Sequence, residues 1–316
     1  MESANISFPK NHRSNYFRIA VLIPCYNESS TVASVIVSFK KQLPNAVIYV
    51  YDNGSEDDTA EVARKAGAVV VTEQNRGKGN VMRKMFSEID ADIYVIADGD
   101  STYAPEDAPK MINLLINEKV DMVVAVRKEK SEKAFRSGHK IGNRLFNFML
   151  KVLFNSTFHD VFSGYRAFSR RFVKTFPVAA SGFDIEAELS IHALTLSIPF
   201  TEMDSIYLER PKNSHSKLST IRDGFKILFS IIGLLKETRP MFFFGTISLI
   251  LFLLSCGVAF PVILTFLETG MVPRLPTAVL SSGIMMIAFL SFACGIILDS
   301  VSEARREMKR LHYLRI

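Results

Sequence analysis

The stretch IYVIADGD (residues 93–100) combines a short apolar run with two aspartates, Asp98 and Asp100, spaced two residues apart. The apolar run predicts a buried strand, and the polar residues after it predict a loop at the strand's carboxyl end. Two carboxylates in such a loop can converge on one hard cation, such as Mg²⁺ or Mn²⁺. Aspartate and glycine are also favoured in turns for backbone reasons alone, so the interpretation depends on the flanking sequence.

Four other apolar runs are organised in the same way, each followed by a polar turn. They cover residues 18–23, 47–51, 68–72 and 121–126, and segments with helical character, including 29–41, 58–66 and 105–118, separate them. Strands that alternate with helices predict an α/β domain with a mostly parallel, Rossmann-like sheet. Ligands of such sheets bind beyond the carboxyl ends of the strands. The polar turns are therefore expected to form one ligand site.

The hydrophobic residues, 48% of the 316, are concentrated beyond Pro240. Residues 241–267 and 275–298 contain no charged side chain, and each segment exceeds the roughly 20 residues that a helix needs to cross a bilayer. Residues 225–235 are apolar but too short to cross, and predict a helix lying in the membrane interface. The sequence thus predicts an interfacial helix and two transmembrane helices after the α/β domain.

These features divide the chain into five parts. They are a polar lead-in (1–17), the α/β domain (18–222), the amphipathic interfacial helix (223–240), two transmembrane helices (241–298) and a basic tail (299–316). The positive charges of the tail predict that the tail and the α/β domain face the cytoplasm, with the chain a multi-pass protein of the cytoplasmic membrane. The three cysteines have no metal-ligand spacing, so neither a zinc site nor a disulfide framework is expected.

The motifs PCYNE (24–28), DNGSEDDT (52–59), NRGKGN (75–80) and ADGD (97–100) resemble those of a GT-A glycosyltransferase of family 2 in order and spacing. No P-loop or G-x-G-x-x-G motif is present. The resemblance implies a nucleotide-sugar site and a Mg²⁺ or Mn²⁺ ion held by Asp98 and Asp100. The implied nucleotide-sugar residues are Pro24, Tyr26, Glu28, Asp52, Asn75, Gly77, Lys78, Asp98 and Gly99. Asn53 stands where a second Asp is common, and Thr102 where Gln is frequent, which leaves the third metal ligand open.

The segment DVFSGYRAF (160–168) resembles the D-x-x-S-G-[YF]-R-x-F segment of polyprenyl-phosphate glycosyltransferases within that family. The resemblance implies that Asp160, Ser163 and Arg166 lie by the acceptor. The basic run 127–140, which is otherwise typical of a solvated loop, would add Arg127 and Arg136 to the acceptor-phosphate site. Asp100, Asp160, Arg210 and Lys217 are the implied catalytic residues, with the last two closing over the diphosphate. Asp160 or an acid from residues 184–188 is the candidate base.

The expected function is inverting transfer of a sugar from UDP-glucose or UDP-N-acetylglucosamine to polyprenyl (undecaprenyl) phosphate, for modification of cell-surface glycans. The expected partners are the nucleotide sugar, the polyprenyl phosphate and the lipid bilayer, with no nucleic acid; small residues in the apolar helices would permit a homo-oligomer. A GDP-mannose donor, another acceptor and an inactive membrane scaffold remain alternatives. A processive synthase is disfavoured because its Q-x-x-R-W motif needs a tryptophan, which this chain lacks.

Overall fold

The computed structural model describes residues 17–129, 150, 151, 154, 158–177, 185–208, 232, 233 and 235–316. These residues form two compact units. The first comprises the chain up to residue 223 together with residues 312–316, and the second comprises residues 224–311. The polar lead-in up to residue 16 and most of the expected interfacial helix lie outside the described residues.

One mixed sheet organises the first unit. Its strands are β1 (Ile19–Cys25), β2 (Val47–Asp52), β3 (Val69–Thr72), β4 (Ile93–Ile96), β5 (Met122–Glu129), β6 (Arg166–Ser169) and β7 (Phe200–Tyr207). They lie in the order β3-β2-β1-β4-β6-β5-β7. β6 runs antiparallel to its neighbours β4 and β5, whereas the other described pairs are parallel. The predicted α/β class with a mostly parallel sheet is therefore confirmed.

The described helices lie between the strands and, after β7, in the second unit. They are α1 (Val32–Gln42), α2 (Thr59–Lys65), α3 (Lys78–Glu88), α4 (Ala108–Asn117), α5 (Arg170–Thr175), α6 (Ile185–Leu196), α7 (Pro240–Thr269) and α8 (Leu275–Arg315), with a 3-10 turn at Pro105–Asp107. The five predicted strands all form, with small shifts at their ends. β6 and β7 were not predicted, because β6 has four residues inside a motif and β7 has no clear apolar alternation.

Apolar side chains cover both faces of the sheet. On one face, Val21 and Val95 of the central strands pack in a cluster with Ile36 and Phe39 of α1 and Met111 of α4. On the other face, the rings of Phe86 and Phe172 lie 6.2 Å and 4.7 Å from the ring of Phe168 in β6. Because described side chains pack on both faces, a ligand is expected at the strand ends and the loops beyond them.

The second unit contains α7 and all of α8 except its last four residues. α7 and α8 have segments with mean hydropathy of 2.6 and 2.2, of which only 6% and 11% are buried in the structure. Ser248 Oγ on α7 donates to Ala288 O on α8 (2.8 Å), and Ser255 Oγ donates to Ser281 O (2.7 Å). Both helices have the length and composition to cross a membrane, and serine-to-carbonyl bonds are a common link between such helices. α8 also continues through residues 299–315, which were predicted as a separate tail.

Replacing Phe168 by alanine should destabilise the first unit, because its ring is fully buried between Phe86 and Phe172. Truncation of a buried phenylalanine lowers the free energy of unfolding by about 3–5 kcal/mol. Chemical denaturation of the detergent-purified chain, followed by tyrosine fluorescence, measures the change. Phe260→Ala is the matched control, because that ring is 61% exposed on α7. An equal effect of the two substitutions would contradict the packing described above.

Candidate functional site

Three parallel strands end side by side at one edge of the sheet. The register pairs Cys25 at the end of β1 with Asp52 at the end of β2. The Asn53 N–H donates to Cys25 O (2.9 Å), and the Ala97 N–H donates to Leu22 O (3.2 Å). The polar turns that follow β1, β2 and β4 therefore meet at this edge, as the strand pattern predicts.

Gly99 lies where the loop after β4 meets the end of β1. A Cβ atom at this position would overlap Glu28 Oε2 and lie 2.6 Å from Cys25 Sγ, so the close approach requires glycine. Thr31 Oγ1 donates to Gly99 O (2.7 Å) and fixes the loop. Burial raises the pKa of the Cys25 thiol well above its ordinary value, and Glu28 adds to the rise. The structure thus brings Glu28 and Gly99 together, and the thiol stays neutral.

Asp52 has two carboxylate oxygens in different surroundings. Its Oδ2 accepts a hydrogen bond from the Ser55 N–H (3.2 Å), whereas its Oδ1 is buried without a hydrogen-bond partner among the described residues. A buried acceptor of this kind is destabilising until a donor reaches it. Tyr26, the aromatic residue of the predicted nucleotide set, lies on the turn after β1, and the Arg76 guanidinium lies 5.4 Å from the centre of its ring. An N–H group of a ligand is the expected partner of Asp52.

Asn53 connects the turn after β2 to the loop that begins α3. Its Nδ2 donates to Glu73 O (3.1 Å) and to Asn75 O (2.8 Å), and its Oδ1 accepts from the Gly77 N–H (2.7 Å). Gly77 has φ +126°, a value that side chains rarely permit. An aspartate could accept from Gly77 but could not donate to the two carbonyls. Asn53, which stands where the family often has Asp, therefore has a structural role: its side-chain amide holds Asn75 and Gly77, two residues of the predicted nucleotide site.

Lys78, the first residue of α3, joins two acidic residues that are far apart in the sequence. Its Nζ donates to Asp98 Oδ1 and to Glu186 Oε1, each at 2.5 Å. Burial by itself lowers the pKa of Lys78, but the charges of Asp98 and Glu186 outweigh it and raise the pKa well above its ordinary value. The ammonium is therefore charged. Glu186, one acid of the candidate segment 184–188, is thus placed beside Asp98.

A divalent cation fits the donor chemistry at Asp98. This carboxylate already contacts one cation, the ammonium of Lys78, and hard oxygen donors suit Mg²⁺ and Mn²⁺. Asp100 is buried, and its Oδ1 accepts hydrogen bonds from the N–H (3.1 Å) and the Oγ1 (2.6 Å) of Thr102. Within the described ranges, no group of three or more His, Cys, Asp or Glu side chains converges as a ready metal site. A third ligand for the predicted metal is not assigned. Thr102, which stands where Gln is frequent in the family, contacts Asp100.

Arg127 and Asp160 form a buried ion pair beside the site. Arg127 Nε and Nη2 donate to the two carboxylate oxygens of Asp160, at 2.7 Å and 2.8 Å. Burial by itself raises the pKa of Asp160, but the hydrogen bonds from Arg127 bring it below its ordinary value. The Arg127 guanidinium also lies 5.6 Å from the centre of the Tyr207 ring. Both oxygens of Asp160 are thus bonded to a cation, an arrangement that favours a positioning role over that of a base.

Ser163 and Arg166 point into the protein. Arg166 is 1% exposed, donates from Nε to Ser163 O (2.8 Å) and from Nη2 to Val161 O (2.5 Å), and reaches Ser190 Oγ (2.9 Å). Burial lowers its pKa to about 10. Ser163 Oγ donates to Ala125 O (2.6 Å). These contacts hold the 160–165 turn in shape, whereas the sequence predicts that both residues bind the acceptor phosphate; that role stays a prediction.

The turn that Arg166 holds lies against Asp98. A Cβ atom at Gly164 would lie 3.0 Å from Asp98 Oδ2 and 3.4 Å from Lys78 Nζ, and the Gly164 N–H donates to Tyr103 Oη (2.9 Å). The segment predicted at the acceptor is thus adjacent to the acid predicted at the metal. Tyr103 was not singled out from the sequence, since nothing in its local pattern marks it. Arg136, Arg210, Lys217 and Asp184 lie outside the described residues.

Comparisons with known proteins agree with this architecture. The model of glycosyl transferase family 2 matches residues 20–176. Glycosyltransferase AglJ of Haloferax volcanii is 32% identical over 300 residues, which cover 94% of this chain and 98% of that protein. The dolichyl-phosphate hexose transferase of the same organism is 29% identical over 221 residues, 70% of this chain and 95% of the relative.

A similar solved structure supports the GT-A fold. It is the glucosyl-3-phosphoglycerate synthase of Mycobacterium tuberculosis in complex with Mn²⁺, uridine diphosphate and phosphoglyceric acid. The TM-score is 0.58 at 23% identity, and the match covers 70% of this chain and 78% of that one. The likeness at this identity concerns the fold, which the motifs of the first third of the chain had indicated.

Replacing Asn53 by aspartate should destabilise the loop before α3, because two donated hydrogen bonds are lost and a carboxylate then faces two carbonyl oxygens. Leaving buried polar groups unpaired lowers stability by about 1–3 kcal/mol for each group. Hydrogen exchange should become faster at residues 73–77, and thermal unfolding should shift downwards. Gln74→Glu is the control, because this exposed residue introduces the same charge in the same loop. Unchanged exchange in Asn53→Asp would contradict the bridging role.

Proposed function

Because this chain belongs to glycosyl transferase family 2, we propose that it is the glycosyltransferase that moves a sugar from a nucleotide sugar to a polyprenyl phosphate at the membrane surface. The observation that carries the donor half of the proposal is the buried Oδ1 of Asp52 at the strand ends, for which the described part of the chain offers no hydrogen-bond partner. The donor half therefore rests on the geometry of the first unit. The acceptor half rests on a relative's name and on the second unit.

The donor site extends from Asp52 to Lys78. Asp52 accepts an N–H of the base, with Tyr26 on the next turn, and the ammonium of Lys78 lies where the diphosphate would bring negative charge. The first turn of α3, held by Asn53 and Gly77, adds backbone N–H groups that favour an anion. A uridine diphosphate sugar is the preferred donor, with UDP-glucose and UDP-N-acetylglucosamine as the first candidates.

The acceptor is proposed to be a lipid phosphate. The relative named a dolichyl-phosphate hexose transferase supports a polyprenyl phosphate, and α7 and α8 provide apolar helices long enough to hold the enzyme in the membrane. The last part of α8 is basic, with Arg305, Arg306, Lys309, Arg310 and Arg315. These positive charges favour a cytoplasmic location for that end of the helix. Nucleotide sugars would reach the catalytic domain on the same side. The reaction between the two substrates is therefore proposed to occur at the cytoplasmic surface of the bilayer.

The chemistry needs little proton transfer. A phosphate monoester has a second pKa of about 6, so the acceptor oxygen is largely ionised near neutral pH. Asp98 and Asp100 would hold a divalent cation, which supplies charge neutralisation as the nucleoside diphosphate leaves. Lys78 adds a positive charge on the same side, and Arg127, oriented by Asp160, offers one to the acceptor phosphate. Positioning and electrostatic stabilisation are the main contributions of these residues. Attack opposite the leaving group gives the inverted product.

A donor panel tests the proposal directly. The full chain, purified in detergent or nanodiscs, is incubated with Mn²⁺, undecaprenyl phosphate and one of UDP-glucose, UDP-N-acetylglucosamine or GDP-mannose, and the mass of the lipid product is measured. The expected product is undecaprenyl phosphate plus one hexose or N-acetylhexosamine from a UDP donor. A product formed only from GDP-mannose would select the mannosyltransferase alternative. Absence of a product with every donor would contradict the proposed reaction.

Asp52→Asn should weaken binding of the UDP donor, because a charge-assisted hydrogen bond to the base becomes a neutral one. Hydrogen bonds to charged groups contribute about 1.5–3 kcal/mol, so the dissociation constant for UDP should rise by roughly tenfold or more. Calorimetric titration of UDP in the presence of Mn²⁺ measures the effect. Asp58→Asn is the matched control, since Asp58 lies exposed in the same motif. Equal UDP affinity in Asp52→Asn and wild type would remove Asp52 from the donor site.

A further inference from the structure

The ammonium of Lys78 lies between two carboxylates. One of them belongs to Asp98, which the sequence predicts as a ligand of a divalent cation. Asp98 comes from the loop after β4 and Glu186 from the first turn of α6, and one oxygen of each carboxylate accepts a hydrogen bond from Lys78 Nζ at 2.5 Å. The three side chains are largely shielded from water, with 13%, 25% and 11% of their surfaces exposed. Hydrogen bonds between ionised groups in such surroundings are strong.

The surroundings leave the ammonium little room for a neighbour. Gly164 packs so close that a Cβ atom there would lie 3.4 Å from Lys78 Nζ and 3.0 Å from Asp98 Oδ2. The backbone of Lys78 is fixed as well, because Gly77 before it is bonded to Asn53. A second cation on Asp98 Oδ1 would lie close to the ammonium, and the repulsion between two positive charges would favour displacement of the ammonium from that oxygen.

We propose that Lys78 is the internal counter-ion of Asp98 in the empty enzyme and is exchanged for the divalent cation when the donor binds. In the empty protein the single charge of Lys78 offsets part of the negative charge of Asp98 and Glu186 and competes with the metal. When the metal binds Asp98, the ammonium stays on Glu186 and pairs with the diphosphate. This inference rests on the proposed function for its second half, whereas its first half concerns the empty protein alone.

The exchange predicts that the binding of the metal and the binding of the nucleotide are coupled. The free energy needed to break the Lys78–Asp98 contact weakens the binding of the metal alone. When the nucleotide is also bound, its diphosphate provides a new partner for the ammonium. Metal and nucleotide should therefore bind cooperatively, each raising the affinity for the other by the same factor. Lys78 is the residue that couples the two.

Lys78→Met separates the two halves because it removes the charge while keeping much of the side-chain length. The affinity for Mn²⁺ in the absence of nucleotide, measured by electron paramagnetic resonance on the full chain, should increase about tenfold, since a charge-assisted hydrogen bond no longer competes. The affinity for UDP at saturating Mn²⁺, measured by calorimetry, should fall by a similar factor. A residue that only maintained the shape of the site would, on substitution, lower both affinities.

Two further variants complete the test. Lys65→Met removes the same charge from an exposed position on α2, and should leave both affinities unchanged. Lys78→Arg keeps the charge and should keep weak Mn²⁺ binding in the empty protein. If Lys78→Met does not fold, Lys78→Gln serves in its place, because its amide keeps a donor without the charge.

The outcomes distinguish this proposal from the proposed function. Stronger Mn²⁺ binding in Lys78→Met supports the counter-ion role even if the donor panel gives no product. Unchanged or weaker Mn²⁺ binding in Lys78→Met or Lys78→Gln overturns it, even if the panel gives the expected lipid-linked sugar. Equal strengthening in Lys78→Arg would also overturn it, because the charge would then not be the cause.

Discussion

The parallel pairing of β1 with β2 on one side and β4 on the other is the constraint on which the site depends. Parallel strands direct their carboxyl ends to the same edge, so the residues that follow each strand become neighbours although they are separated by 20 or more positions in the chain. The Asn53 and Ala97 N–H groups extend this pairing one residue past the strands. The position of Asp52 relative to Asp98 is therefore set by backbone hydrogen bonds.

Charge pairing is the second organising feature. Lys78 contacts Asp98 and Glu186, and Arg127 holds Asp160 with two hydrogen bonds. Removing a charged group from water is unfavourable unless a partner compensates it, so each pair holds its loop in one arrangement. Arg166 uses backbone carbonyls instead and shapes the turn that packs on Asp98. The described charges beside the strand ends are thus largely paired with one another, whereas Asp52 Oδ1 is buried without a partner among the described residues.

The sequence predicts the strands and the edge because these depend on local patterns. The apolar runs before Cys25, Asp52 and Asp98 are short and bounded by polar turns, so their burial and direction follow from the chain itself. The contact between Lys78 and Glu186 cannot be predicted in this way, because 108 positions separate them and only the packing of α6 brings them together. β6 was missed for a related reason: its four residues form a strand only because β4 and β5 leave a gap between them.

The contacts of individual motif residues could not be predicted from the sequence. Arg166 and Ser163 belong to a motif next to the site, yet their side chains point inward, and a motif does not specify which side chains turn towards a ligand. Asn53 was noticed as a departure from the family pattern, but its three hydrogen bonds depend on a loop 20 or more residues later. Residue type predicts what a group can do, and the tertiary contacts decide which group does it.

The unbroken course of α8 has a mechanical consequence. Its 41 residues span about 60 Å at 1.5 Å per residue, roughly twice the thickness of the hydrocarbon core. A flexible tail tolerates changes in length, whereas a continuous helix transmits them as rotation. One inserted residue after Leu298 would turn the arginines beyond it by about 100° around the axis, and only insertions close to whole turns would keep them in phase.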